Sequence, residues 1–148
     1  MTLPPSRILA ELLMGGSSPL FFGPLSGDEW PIYVSALPEG SAVKNNAAAV
    51  FDTTGMVDGR VANGTQVVTY GFQVMVRCSD YVEGWAKVQA VVERLDAVSE
   101  EEVSIDGEVF VVNDIVLSGP ALPLGQEVED GRREMFTVNG LVRLRQTT

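Results

Sequence analysis

The sequence predicts an α+β fold: a mainly antiparallel sheet with two helices on one face, a long hairpin and long loops, in a single domain over residues 1–148. Three observations carry that expectation. Apolar residues recur at helical spacing in residues 6–14 and again in 81–95. Residues 66–78 alternate apolar and polar, the period of a half-buried antiparallel strand. The elements follow in the order helix, strands, helix, strands, and no internal repeat interrupts them.

The first helix is SRILAELLM, which places Ile8, Leu9, Leu12 and Leu13 on one face. Pro4 and Pro5 precede it and Gly15-Gly16 stop it. GGSSPLFFGPLSGDEWP reads as a long loop carrying exposed Phe21 and Phe22. WPIYVSALP reads as a short strand ended by Pro38. AAAVFDTTG, residues 47–55, reads as a mostly buried strand that turns at Gly55. MVDGRVANGT, residues 56–65, holds two Gly turns and an Asn-Gly pair, the signature of a loop or hairpin tip.

In the alternating segment 66–78, Tyr70, Phe72, Val74, Val76 and Cys78 fall on one face, and Gly71, Gln73, Met75 and Arg77 on the other. Its length, about twice that of a common strand, suggests a long hairpin. DYVEGWAKVQAVVERL follows. Asp80 can cap the first turn and Glu83 can reach back to it, and both acids suit the positive end of a helix. Tyr81, Trp85, Val88, Val92 and Leu95 then form an apolar stripe. Burying such side chains is worth about 1.5–3 kcal/mol each, more than the caps, and Trp85 is the expected anchor of helix to sheet.

After SEEEVSIDGE, with an Asp-Gly turn at 106–107, two more strands are expected at 109–119 and 133–145. In the second, Phe136, Val138, Val142 and Leu144 oppose Met135, Thr137, Asn139, Leu141 and Arg143, with a bulge expected around Gly140. The connector PALPLGQEVEDG reads as a long acidic loop.

Composition narrows the function classes. A chain of this length buries roughly 68–70% of its unfolded surface on folding, enough for a real core. The formal charge of −10 argues against a dedicated nucleic-acid binder or an anionic membrane surface, and accounts for solubility. No run approaches the roughly 20 apolar residues of a membrane span. The start MTLPPSRILAELLMGG does not read as a secretory signal, so a soluble, cytoplasmic chain is expected. The single cysteine, Cys78, excludes an intramolecular disulfide, and its phase places it on a buried face.

The sequence contains no histidine, which removes Ser-His-Asp and Cys-His nucleophilic systems and most zinc sites. The runs Glu100-Glu101-Glu102 and Glu127, Glu129, Asp130 fall in expected turns or loops and read as solvated charge. Asp52, in VFDTTG, fits turn chemistry better than a catalytic site. Asn63-Gly64-Thr65 matches a glycosylation acceptor, without meaning in a cytoplasmic chain. Arg132, Arg133, Arg143 and Arg145 are expected to pair with the acidic connector rather than with phosphate.

Three ordered segments then carry a resemblance: AVFDTTG, FQVMVRCSDYVEGWAKVQAVVERL and GPALPLGQEVEDGRREMFTVNGLVRL. Together, over residues 47–146, they resemble tailed-phage minor capsid proteins of the tail terminator (tail completion) type. The resemblance implies a small virion subunit that forms a ring, commonly sixfold, at the head–tail junction. Such a ring would cap the tail tube and meet the head–tail connector or neck protein. The implied partners are further copies of the chain, the major tail tube protein and the connector. DNA would enter only as genome passing an acidic lumen that repels it. No cofactor, metal or membrane is implied.

The candidate interface residues are Phe21, Phe22, Trp30, Asp52, Arg77, Glu127, Arg132 and Arg133, with Asp80, Glu83 and Trp85 as structural residues. The two Phe and Trp30 fit an exposed contact surface and the subunit's own core equally well. Alternative functions are another neck or head-completion protein, a binding module for a host or phage protein, and a small metal-dependent enzyme built on Asp52.

Overall fold

The computed structural model describes residues 3–14, 22–23, 30–38, 46–60, 66–127 and 133–147. Its elements are α1 (Pro5–Met14), β1 (Phe22–Gly23), β2 (Trp30–Val34), β3 (Ala47–Arg60), β4 (Gln66–Cys78), α2 (Tyr81–Asp96), β5 (Ser99–Ile105), β6 (Glu108–Leu117), β7 (Leu122–Glu127) and β8 (Arg133–Gln146). The strands form one sheet in the order β1-β2-β3-β4-β8-β6-β5, and β7 also pairs with β8. Among the described residues, only β1–β2 and β2–β3 are parallel. The α+β expectation holds.

The sheet curls because α1 touches both of its flanks, β2 and β3 on one side and β5 on the other. Ile8, Leu9, Leu12 and Leu13 are buried, as their spacing dictates, and meet Val50, Val74, Val103 and Phe110 in one core. α2 lies over β8, β4 and β6. Its apolar stripe is rotated from the expected one. Gly84, Val88, Val91 and Leu95 are buried, whereas Tyr81 is 47% and Trp85 38% exposed. The reason is Gly84: a Cβ there would lie 2.6 Å from the Phe136 ring, so only glycine lets the helix backbone come this close to the sheet. Trp85 and Tyr81 lean on the edge of Phe136, at 5.9 and 5.1 Å between ring centroids.

Four expectations about strands and loops are corrected. β3 does not turn at Gly55 but continues to Arg60, with register irregularities between Asp52 and Gly55 and between Val57 and Gly59. It pairs with β4 from Ala47↔Arg77 to Arg60↔Gln66, the long hairpin expected, and residues 61–65 lie outside the described ones. SEEEVSI is not a charged loop but strand β5, because Val103 and Ile105 point into the core while Asp106 and Gly107, at φ 51° and 84°, close a two-residue hairpin onto β6. The connector is not all loop either. β6 and β7 lie end to end along one side of β8, β6 against 140–146 and β7 against 133–137. Ser118 N–H bridges the junction by donating to Asn139 O at 2.8 Å.

The fourth correction concerns Gly140. The β4–β8 register is unbroken from Val68↔Leu144 to Cys78↔Glu134, so no bulge sits there. Gly140 is in phase with Phe136, Val138, Val142 and Leu144, and its own position is buried. The irregularity lies instead in β6, between Val112 and Asp114.

α2 and β5 are tied by Arg94, whose two terminal nitrogens donate to the two oxygens of Glu101 at 2.8 and 2.9 Å. The pair is half-buried and bidentate, a geometry an ammonium does not reproduce. Arg94→Lys is expected to lower the unfolding free energy by about 1 kcal/mol. Equilibrium urea unfolding checks this, and an unchanged midpoint would mean the fork contributes nothing.

Candidate functional site

The polar side chains that the fold places most deliberately act on the fold itself. Asp52 is the clearest case. α1 begins with Pro5, which has no N–H to satisfy, so the first donor of the helix that needs a partner is the buried Ser6 N–H. Asp52 Oδ1 accepts from that N–H at 2.8 Å, and Oδ2 accepts from the Ser6 hydroxyl at 2.5 Å. The first turn of α1 has no acid of its own, so Asp52 supplies the negative charge from β3. The turn expected at Asp52 is replaced by this long-range cap.

Asp80 caps α2 as its position foretells, accepting from Val82 N–H at 2.9 Å. Glu83 does not complete a capping box. It accepts at 3.5 Å from Asn46 Nδ2, which draws it toward the start of β3.

Phe22 and Trp30 face each other as partners in the β1–β2 pair, edge to face at 6.4 Å. Phe22 is buried, which corrects the exposed loop aromatic, and Trp30 is half-buried. The ammonium of Lys87, on α2, lies 4.5 Å from the Phe22 ring and 4.8 Å from the Trp30 ring. Of the two readings left open for these aromatics, packing within the subunit holds for Phe22. Phe21 lies outside the described residues.

Arg77 and Arg133 are fully buried on the sheet face away from the helices, where alternation had suggested solvent for Arg77. Arg77 Nη1 donates to Pro38 O at 2.5 Å, and Ala47 beside it is also buried, so the chain after β2 crosses this end of the face. Arg133 pairs in register with Glu127 across β7–β8. Arg132 lies outside the described residues. Arg143 and Arg145 each pair with an acid elsewhere in the sheet. Arg143 meets Asp114 on the neighbouring strand β6 at 2.7 Å, and Arg145 reaches across β6 to Glu100 on β5 at 3.3 Å.

Cys78 lies under α2, its Cβ close to the position a Gly84 Cβ would take. Burial pushes its thiol pKa up, and the nearby Glu83 and Asp80 carboxylates add to the shift while backbone hydrogen bonds from Asp80 and Ser79 oppose it. A thiol so protonated is a poor nucleophile. Among the described residues no three His, Cys, Asp or Glu side chains cluster as metal ligands.

The fold also leaves several large apolar side chains exposed, and sequence reasoning missed them. On the outer sheet face Val116 is 60% and Leu141 45% exposed, cross-strand partners in β6–β8. With Thr69, Asp114 and Arg143 they line a shallow depression of about 150 Å³. Leu122 and Leu124 project from β7, inside the segment read as a loop. At the start of α2, Val82 is 75% exposed beside Tyr81 and Trp85. Side-chain contact, rather than bond chemistry, is what such surfaces can perform.

No curated protein matches the chain. The model of a family described as bacteriophage tail terminator protein matches residues 16–139.

Proposed function

The chain belongs to the bacteriophage tail terminator family, structural proteins of the virion, and from that premise we propose that it ends tail elongation by closing a ring of its own copies, sixfold, on the tail tube. The ring then presents its far face to the head–tail connector, so the subunit works at the head–tail junction. DNA passes through the ring without being held, and the acidic composition, −10 in formal charge, favours a lumen that repels it.

The observation that carries this reading is the extent of the family match, which spans both sides of the long hairpin, all of α2 and the start of β8. The exposed apolar groups on two different parts of the subunit support it, because a cyclic ring needs two unlike patches on each copy. In a phage lacking this protein, tail tubes are expected to vary in length and to remain detached from filled heads, as seen by negative-stain electron microscopy. Adding back the purified chain is expected to cap the tubes with ring-shaped density. Tails of normal length already joined to heads in its absence would overturn the proposal.

A further inference from the structure

We draw no further inference here: the strongest candidate, the exposed apolar surface made by Val116 and Leu141 on the outer sheet face, Leu122 and Leu124 on β7 and Val82 at the start of α2, carries none, because nothing in the structure shows what covers it.

Discussion

Replacing Gly140 with alanine is expected to cost about 3 kcal/mol of unfolding free energy, the upper end of the usual range for overpacking. A Cβ at this position would lie 2.7 Å from Val116 O and 2.9 Å from Phe72 Cζ. Real Cβ atoms do not approach that closely, so something must move. The Phe72 ring is fully buried in the core and has little room to give. The carbonyl belongs to β6, and displacing it disturbs the ladder at Val116↔Leu141 and Leu117↔Gly140. Equilibrium denaturation measures the loss, with Cys78 as a built-in reporter: its buried thiol reacts with a disulfide reagent only as the β4–α2 contact opens. A loss below about 1 kcal/mol would show that β6 yields and that the close approach is not obligatory.

Asp52→Ala is the second large effect, about 2–3 kcal/mol. The substitution strands the Ser6 N–H and hydroxyl, in a residue with 0% exposure, and removes the charge that faces the N-terminus of α1. Hydrogen bonds to a charged group contribute about 1.5–3 kcal/mol net, and an unsatisfied buried donor adds to the loss. Asp52→Asn keeps one acceptor and is expected to lose roughly half as much. A double-mutant cycle with Ser6→Ala isolates the coupling, because Ser6 and Asp52 meet directly. Were Asp52 a reaction centre instead, its replacement would spare stability. A denaturation midpoint within error of wild type for Asp52→Ala would therefore discard the capping role.

Consequences for the rest of the fold follow from the same contact. α1 packs against β2, β3 and β5, so the Asp52–Ser6 tie fixes the helix that holds the curl of the sheet. Loosening it is expected to reach the hairpin of β3 and β4 before it reaches β8, where α2 rather than α1 supplies the cover. Hydrogen exchange on Asp52→Asn would show this as lost protection in α1 and β3 with β8 unaffected.

Much of what is governed within a few residues was legible in the sequence, although the Glu83 half of a capping box was not. The period of Ile8, Leu9, Leu12 and Leu13 set the buried face of α1, and the alternation from Tyr70 to Cys78 set the inner face of β4. Asp80 could be read as a cap because its acceptor and the Val82 N–H are two residues apart. The Asp106-Gly107 turn was legible for the same local reason. Tertiary structure decided the rest, since the answer lay in residues far away along the chain. Asp52 caps a helix 46 positions earlier, and SEEEVSI and LPLGQE become strands because β6 and β8 offer them backbone partners. Arg77 is buried because the chain around Pro38 crosses its face, and Gly84 rather than Trp85 sets the approach of α2 because Phe136 stands beneath it. Side-chain period specifies which face of an element is apolar; it carries no information about which distant segment will cover the other face, and that choice belongs to packing.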